Sequence, residues 1–362
     1  MINNSWASPK PIPNAHGKTK PDAAQKHDMP FAESRFAGIC AVSKRPRVLL
    51  HYDRTELFRD HIVDRCPDVE VRCCHSYDDL ATALGDFAPQ ILFCIKFENR
   101  PYPRDTVLAC PSIQWVSNGG AGMDHLLPWD PDRLTVTNAS GVASRMMAEY
   151  VIAGILALSI GLPRFMRRQL QRRWQFEPVA GIAGKTVAIV GVGRTGRAVA
   201  GLAGALDMRV VGTRAHPAPT PGVDTVYPAT ELHRALNDGD FVVVTAPLLE
   251  STRHLIDAAA IAAMKPGACL IDVSRGGVVD QSALTDGLVS QKLGGAVLDV
   301  FEAEPLAADN PLWDLPNVII TPHCSSVYDG WELRAAQMFC DNLERWLAGE
   351  ALDNVVDPRR GY

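Results

Sequence analysis

Residues 185–214 constrain the fold of this chain more than any other segment. They open with a short apolar run, residues 187–190, turn at the glycine-rich sequence GVGRTG, and continue as an Ala- and Leu-rich helical segment. A second apolar run, residues 209–211, follows. A strand, a tight turn, a helix and a second strand within about thirty residues predict the first unit of a dinucleotide-binding fold.

Each glycine of the GVGRTG turn has its own physical reason to be glycine. Gly191 permits the sharp turn, Gly193 lets a pyrophosphate approach the backbone, and Gly196 lets the helix pack closely on the strand. The helix N-terminus offers unpaired N–H groups and a partial positive charge to phosphates. Because G-x-G-x-x-G also occurs in ordinary turns, a βαβ turn without a ligand is the alternative.

The end of the second strand indicates which dinucleotide is bound. An NAD site usually places Asp or Glu there to accept hydrogen bonds from the adenine ribose hydroxyls, but this chain has Thr213 and Arg214. A guanidinium can hold a 2′-phosphate with two charge-assisted hydrogen bonds, which favours NADP(H) over NAD(H). The alternative is that Arg214 is a solvated surface charge.

Length, charge and cysteine usage narrow the class of protein. The 362 residues suffice for two domains with cores of their own, and the net charge of -5 gives no electrostatic reason to expect nucleic acid or a membrane as partner. Nine cysteines without C-x-x-C spacing make zinc or another metal unexpected and fit reduced thiols in the cytoplasm. The longest apolar segment, residues 150–162, is too short to span a bilayer, and the N-terminus lacks a secretory signal core.

The order of patterns along the chain predicts three regions. Residues 1–45 are rich in Pro, Lys, Ala and Asn and predict a flexible extension. Residues 46–143 alternate apolar runs (VLLHY, VEVRCC, ILFCIKF, SIQWVS and LTVTN) with helix-like segments and predict a first α/β domain with a parallel sheet. Residues 144–323 predict the dinucleotide-binding domain, introduced by one long helix over residues 146–168. A final helix over residues 331–347 lies in the segment 324–362, which is expected to complete the first domain.

Three polar residues follow strand-like runs in the second half of the chain. Arg275 follows ACLIDVS, Glu304 follows AVLDVF, and His323 follows VIIT. The carboxyl ends of strands in an open parallel sheet line the ligand crevice, so these side chains are expected to converge near the nicotinamide. Taken singly, they could equally be a surface charge, a loop carboxylate and a structural histidine.

The combination of GVGRTG, DVSRGGVVD, LDVFEAEP and TPHCSS resembles the D-isomer-specific 2-hydroxyacid dehydrogenase family, which includes glyoxylate/hydroxypyruvate reductases and phosphoglycerate dehydrogenases. The loop NGGAGMDHL, the segment MAEYVIAGILAL and the closing NVVDPRRGY also resemble its glyoxylate/hydroxypyruvate reductase-like members. The resemblance covers nearly all of the chain from residue 46 onwards. It implies a two-domain α/β fold, with a Rossmann dinucleotide-binding domain and a flavodoxin-like substrate domain, and a homodimer.

The resemblance also implies roles for the site residues. His323 becomes the acid/base, Glu304 its partner and Arg275 the cation that binds the substrate. Hydride delivery to a 2-oxo acid leaves growing negative charge on the carbonyl oxygen, which needs a proton donor and a nearby cation. An imidazolium suits the donor role, and an adjacent carboxylate stabilises it. The backbone N–H groups expected to hold the substrate carboxylate belong to Gly120, Ala121 and Gly122.

On the cofactor side, the resemblance implies that Arg194 and Thr195 contact the pyrophosphate, while Ala246 and Pro247 form the adenosine wall. Val273 joins this predicted set, and Asp299 is expected to bind the nicotinamide carboxamide, although it could simply cap a strand end.

Two residues depart from the family pattern. Asp272 stands where Asn is frequent, which predicts an extra buried acid behind Arg275, and Cys324 follows His323 where small apolar residues are frequent.

These observations favour an oxidoreductase that transfers a hydride between NADP(H) and a small 2-oxo acid such as glyoxylate or hydroxypyruvate. The alternative from another class is a binding protein similar to dinucleotide-sensing transcriptional corepressors, which can retain the same three residues. Phosphoglycerate and phosphite dehydrogenases are alternatives within the enzyme class. Formate dehydrogenase is disfavoured, because that relative typically has Gln at the position of Glu304.

Overall fold

The computed structural model describes residues 45–98, 100–123 and 125–358. The extension predicted for residues 1–45 lies outside the described residues except for Arg45, as do residues 359–362 of the predicted C-terminal segment.

The first half of the described chain forms a parallel sheet. Its strands are β1 (Arg47–His51), β2 (Glu70–Cys74), β3 (Ile91–Cys94), β4 (Trp115–Asn118) and β5 (Thr135–Asn138). Their spatial order, β2-β1-β3-β4-β5, is that of flavodoxin-like sheets. Each of the five predicted apolar runs overlaps one of these strands, and the predicted flavodoxin-like fold is confirmed. The helices that connect them are α1 (Arg59–Arg65), α2 (Leu80–Phe87) and α3 (Arg104–Ala109).

The second half forms a larger parallel sheet. Its strands are β6 (Thr186–Val190), β7 (Arg209–Arg214), β8 (Thr225–Pro228), β9 (Phe241–Val244), β10 (Ala268–Asp272), β11 (Leu293–Leu298) and β12 (Val318–Ile320). The order β12-β11-β10-β9-β6-β7-β8 is the doubly wound order, with its switch point between β6 and β9. The Rossmann prediction is therefore confirmed. The edge strand β8 was missed, because its half-buried sequence TVYP carries neither a long apolar run nor a clear alternation.

Helices cover this second sheet: α6 (Arg194–Gly204), α7 (Leu232–Asp238), α8 (Ala258–Ala263) and α9 (Gln281–Val289). Asp257 and Asp280 cap the last two helices, since each carboxylate accepts a hydrogen bond from a backbone N–H of the first turn. The helices begin beyond the carboxyl ends of the strands. Polar residues in these connections therefore collect at one edge of the sheet.

The single helix predicted over residues 146–168 is instead two helices, α4 (Ser144–Ser159) and α5 (Leu162–Leu170), bent by 65°. Gly161 adopts the left-handed conformation with φ of 71°, and Pro163 follows in the first turn of α5. The prediction was wrong because Pro163 marks a helix start, where its missing N–H is harmless, and not an interior position. Within the described residues no single helix is long and apolar enough to cross a bilayer; only this bent pair, taken together, has that length and composition.

The last helix, α10 (Trp331–Ala348), begins at the predicted residue and packs on the first sheet. Its buried residues Ala335, Phe339 and Leu343 belong to the hydrophobic core that also contains Trp115 of β4. The rings of Phe339 and Trp115 are stacked with their centroids 5.2 Å apart. This packing agrees with a first domain completed by the C-terminal segment, while the boundaries near residues 143 and 323 stay predictions.

Candidate active site

The turn between β6 and α6 has the shape that a pyrophosphate requires. Gly191 has φ of 96°, and a Cβ at this position would lie 2.9 Å from the backbone of Ala246. A Cβ on Gly196 would lie 2.6 Å from the carbonyl oxygen of Gly191, so neither position accepts a larger residue. A Cβ on Gly193 would meet nothing within 4 Å, which leaves the N-terminus of α6 open to a phosphate group.

The predicted 2′-phosphate residues lie at the carboxyl end of β7. Thr213 is buried, and its carbonyl oxygen accepts hydrogen bonds from the N–H groups of Gly191 and Val192 at 3.2 and 2.9 Å. Its observed contribution is therefore to hold the glycine turn. Arg214 is exposed at the end of the strand, and β7 ends without an acid that could bind ribose hydroxyls.

The other predicted cofactor residues lie along the same edge of the sheet. Ala246 and Pro247 follow β9, and Val273 follows β10. Ala246 and Val273 are buried, whereas Pro247 is exposed. Since β9 pairs with β6 and β10 pairs with β9, these residues lie on the same edge of the sheet as the glycine turn. Their contact with a cofactor stays a prediction.

Arg194 and Thr195 lie in the first turn of α6, directly after the glycine turn, and their side chains bond to distant parts of the chain. The guanidinium Nη2 of Arg194 donates a hydrogen bond to Oδ1 of Asn354 at 2.7 Å. Asn354 in turn donates to the carbonyl oxygens of Asn138 and Ser140, at 3.2 and 3.0 Å, just beyond the end of β5. Arg194, which is predicted to contact the pyrophosphate, is therefore oriented by the C-terminal tail, and a local sequence motif could not predict this contact.

His323 and Glu304 form a hydrogen-bonded pair at the end of β12. Nδ1 of His323 lies 2.8 Å from Oε2 of Glu304, and the two side chains are 37% and 35% exposed. The other carboxylate oxygen of Glu304 accepts a hydrogen bond from the N–H of Phe301 at 3.0 Å. Burial opposes ionisation, but the hydrogen bonds from His323 and Phe301 and the charge of Arg275 keep the pKa of Glu304 below its ordinary value. A carboxylate is thus in place to stabilise a protonated imidazole.

Asp299 fixes the loop that carries His323. Its fully buried carboxylate accepts hydrogen bonds from the hydroxyl of Thr321 at 2.6 Å and from the N–H groups of Cys324 and Ser325, both at 2.9 Å. Its carbonyl oxygen accepts the N–H of His323 at 2.8 Å. All of these partners belong to the protein, so Asp299 holds the end of β12 and the loop that follows it. This is the structural role that the sequence offered as the alternative to cofactor binding. A bond to the nicotinamide carboxamide stays a prediction.

Arg275 meets the predicted substrate loop. A Cβ on Gly122 would overlap the guanidinium of Arg275, so this close approach holds only while residue 122 has no side chain. Nη1 of Arg275 also donates to the carbonyl oxygen of Ser274 at 2.7 Å. The contact brings a loop of the first sheet against a cation from the second sheet. Of the three residues expected to converge, Glu304 and His323 are in direct contact, and the charge of Arg275 lowers the pKa of Glu304.

Asp272 is the buried acid that the sequence indicated behind Arg275. Only 3% of this residue is exposed, and its Oδ1 accepts hydrogen bonds from the N–H and hydroxyl of Ser274 at 2.9 and 2.6 Å. Burial raises its pKa from 3.8 to about 7; the hydrogen bonds of Ser274 and the charge of Arg275 oppose this rise, and Asp299 adds to it. The acid therefore supports the backbone that carries Arg275.

We expect Asp272→Asn to increase the free energy of unfolding at about pH 8 by up to about 4 kcal/mol and to change it little at about pH 4. Between pH 3.8 and about 7 the folded protein retains a proton that the unfolded chain has lost. Wild-type stability therefore falls as the pH rises through this window, whereas an amide has no proton to lose. Urea denaturation of both proteins across this range measures the difference, and a difference independent of pH would contradict it.

Three asparagines that bond to predicted site residues were missed from the sequence: Asn118, Asn138 and Asn354. Asn118 and Asn138 end neighbouring strands, and their side-chain amides bond to the loop of residues 120–122. The available signal was that each closes a predicted strand, at the edge where ligands bind. Asn354 has φ of 57°, a conformation that asparagine tolerates well, but its partners lie far away in sequence.

Comparison with known proteins agrees with this geometry. The family model described as D-isomer specific 2-hydroxyacid dehydrogenase, NAD binding domain, matches residues 152–325. The (S)-sulfolactate dehydrogenase of Chromohalobacter salexigens is 35% identical over 300 residues, covering 78% of this chain and 95% of that protein. The glyoxylate reductase of Korarchaeum cryptofilum is 32% identical over 269 residues, covering 71% of this chain and 80% of that protein.

Among solved structures, a D-isomer specific 2-hydroxyacid dehydrogenase from Xanthobacter autotrophicus Py2, in complex with NADPH and MES, superimposes with a TM-score of 0.77. It is 32% identical in sequence, and the match covers 87% of this chain and 99% of that one. Fold and site together define a two-domain, dinucleotide-dependent oxidoreductase. The chain belongs to the D-isomer-specific 2-hydroxyacid dehydrogenase family and is an NAD(P)-dependent enzyme of that family.

Proposed function

We propose that this chain is an NADP(H)-dependent reductase of a small 2-oxo acid such as glyoxylate or hydroxypyruvate. The observation that carries the proposal is the His323–Glu304 pair, 2.8 Å apart, at the sheet edge where Arg275 meets the substrate loop. The similarity to a glyoxylate reductase supports this substrate class. The similarity to a sulfolactate dehydrogenase makes the sulfonated 2-oxo acid the second candidate.

The residues present fit a bound dinucleotide. The open space at Gly193 admits a pyrophosphate, and Arg194, Thr195 and Arg214 would hold phosphate oxygens. When bound, the nicotinamide supplies the hydride that reduces the carbonyl carbon. Everything else in the reaction is positioning, charge stabilisation and proton transfer, which the chain's own side chains provide.

The proton comes from His323. Its Nδ1 is bonded to Glu304, and within the described residues Nε2 has no hydrogen-bond partner, so Nε2 is the atom placed to protonate the carbonyl oxygen. The ionised Glu304 fixes the orientation of the ring and stabilises its charged form. Arg275 pairs with the substrate carboxylate and draws electron density from the carbonyl, for which its planar guanidinium is well shaped.

A substrate panel tests the proposal. Wild-type protein is mixed with NADPH and, in turn, glyoxylate, hydroxypyruvate, the sulfonated 2-oxo acid and phosphohydroxypyruvate, and oxidation of the cofactor is followed by absorbance. We expect the highest kcat/KM with glyoxylate or hydroxypyruvate. A strong preference for the phosphorylated acid would favour a phosphoglycerate dehydrogenase, whereas NADPH binding without turnover of any acid would favour a dinucleotide sensor.

Arg214 is expected to determine the preference for NADP(H). We expect Arg214→Gln to raise the KM for NADPH about tenfold to a hundredfold and to leave the KM for NADH nearly unchanged, because charge-assisted hydrogen bonds to the 2′-phosphate are lost. The control is Arg209→Gln, at the opposite end of the same strand. A wild-type preference for NADH, or equal effects on both cofactors, would contradict the assignment.

We propose that the enzyme is a homodimer held by the end of α5 and the segment that follows it. Within the described residues Leu170, Trp174 and Phe176 are 85%, 100% and 89% exposed. Large apolar side chains crowded on a surface mark an interface, and a second copy of the chain would bury them.

The described cysteines are all free thiols, which supports a reducing compartment such as the cytoplasm.

The double substitution Trp174→Ser and Phe176→Ser is expected to convert the dimer into monomers, because it removes the two most exposed aromatic rings of this segment. Light scattering coupled to size exclusion measures the mass of both proteins. The exposed Trp313, which is 50% exposed and lies elsewhere on the chain, gives the control substitution Trp313→Ser. A wild-type monomer would refute the dimer, and a double variant that stays dimeric would refute this interface.

A further inference from the structure

Two asparagine side chains hold the predicted substrate loop, residues 120–122, by hydrogen bonds to its carbonyl groups. Asn118 ends β4 and Asn138 ends β5, and the two residues are paired in the sheet register. They are only 2% and 7% exposed. Nδ2 of Asn118 donates to the carbonyl oxygens of Gly120 and Gly122, both at 2.9 Å, and Nδ2 of Asn138 donates to that of Ala121 at 2.8 Å. All three loop carbonyls are therefore bonded to these amides.

The direction of these carbonyls determines the direction of the loop N–H groups. In a planar trans peptide the N–H of the next residue points opposite to the carbonyl oxygen. The N–H groups of Ala121, Gly122 and Met123 therefore point away from the two asparagines. Within the described part of the chain none of the three donates a hydrogen bond to a protein acceptor.

A cation lies against the same loop. The guanidinium of Arg275 occupies the space where a Cβ of Gly122 would project. Backbone N–H groups without acceptors, next to a guanidinium, form a receptor for a small anion. The substrate class proposed above carries such an anion, its carboxylate, one bond away from the carbon that is reduced.

We propose that Asn118 and Asn138 are positioning residues that turn the N–H groups of residues 121–123 toward the substrate carboxylate. The inference rests on the proposed function, since it takes the anion to be the carboxylate of a 2-oxo acid. Neither asparagine touches the reacting atoms. They act by fixing the peptide planes, so that the ordering of the loop is complete before the substrate binds.

The test uses Asn118→Ala and Asn138→Ala in the full chain. Oxalate serves as an unreactive probe of the anion site that the N–H groups of residues 121–123 and Arg275 form. Calorimetry gives the Kd of oxalate for the NADPH-loaded protein, fluorescence gives the Kd of NADPH, and steady-state kinetics separate KM from kcat. We expect Asn118→Ala to raise the Kd of oxalate and the KM of the 2-oxo acid about tenfold to a hundredfold, and Asn138→Ala about threefold to tenfold, because fewer carbonyls are held. The Kd of NADPH and kcat should change far less.

Asn317→Ala is the matched control, because the amide of Asn317 also donates to a glycine carbonyl, that of Gly294 at 3.3 Å, but in an exposed bond at the start of β12, the end opposite His323. It should leave oxalate binding unchanged. Unchanged oxalate Kd and KM in both site variants, or a wild-type protein that binds no oxalate, would overturn the inference. If the two variants bind oxalate more weakly as expected, but the wild-type protein reduces no 2-oxo acid, the anion site is upheld and the proposed function is refuted.

Discussion

Replacing His323 with glutamine is expected to lower kcat for 2-oxo acid reduction by about 10²–10⁴-fold, the usual contribution of a positioned acid or base. Glutamine can still donate a hydrogen bond, but it cannot give up a proton to the carbonyl oxygen. Because His323 lies at the end of β12 and the predicted phosphate site lies at the turn after β6, NADPH binding should be retained. The measurement is kcat at saturating cofactor, together with the Kd of NADPH from fluorescence.

His233→Gln supplies the control for the His323 experiment, since His233 is an exposed residue of α7. It should leave kcat nearly unchanged. A His323→Gln protein that binds NADPH and turns over at the wild-type rate would show that the proton comes from another group. In that case the bonded pair of His323 and Glu304 would be a structural feature of the loop.

Replacing Arg275 with lysine is expected to lower kcat/KM by about 10²–10³-fold, similar to the loss of one donor from a site that stabilises developing negative charge. Lysine keeps the charge but loses the planar fork, so it cannot pair with the carboxylate and approach the carbonyl at the same time. It also loses the close approach of the guanidinium to Gly122. Steady-state kinetics with the best 2-oxo acid measure the effect.

The appropriate control for Arg275→Lys is Arg59→Lys, because Arg59 is half exposed and lies in α1, on the first sheet's outer layer. That change should have no measurable effect on kcat/KM. If Arg275→Lys retained wild-type efficiency, charge alone would suffice at this position. The proposed simultaneous contact of the guanidinium with the substrate carboxylate and the carbonyl would then be wrong.

Much of the fold followed from local patterns in the sequence. Parallel strands buried on both faces are short continuous apolar runs, and most of the observed strands contain such a run. The missed strand β8 is an edge strand whose residues are half-buried, so burial did not select apolar residues there. The break between α4 and α5 was missed because apolar residues continue past Gly161, although Gly161 and Pro163 together end one helix and start the next.

As with the fold, the parts of the site that depend on local sequence could be predicted, and the parts that depend on contacts between distant segments could not. Arg275, Glu304 and His323 each follow a strand, and the rule that ligands bind at carboxyl ends of parallel strands placed them correctly at one edge. Contacts between distant segments could not be predicted from motifs. The hydrogen bond from Arg194 to Asn354 joins residues 160 positions apart, and the contact of Gly122 with Arg275 depends on how two sheets pack.

Hydride transfer to the substrate carbon is tested most directly with NADPH that carries deuterium at the reactive face of C4. The wild-type protein, the labelled cofactor and glyoxylate or hydroxypyruvate are allowed one turnover, and the product is examined by NMR. We expect deuterium on C2 of the 2-hydroxy acid from the wild-type protein, and a strongly reduced yield from His323→Gln. Oxidised cofactor without deuterium on C2, or no product at all from the wild-type protein, would contradict the proposed reaction.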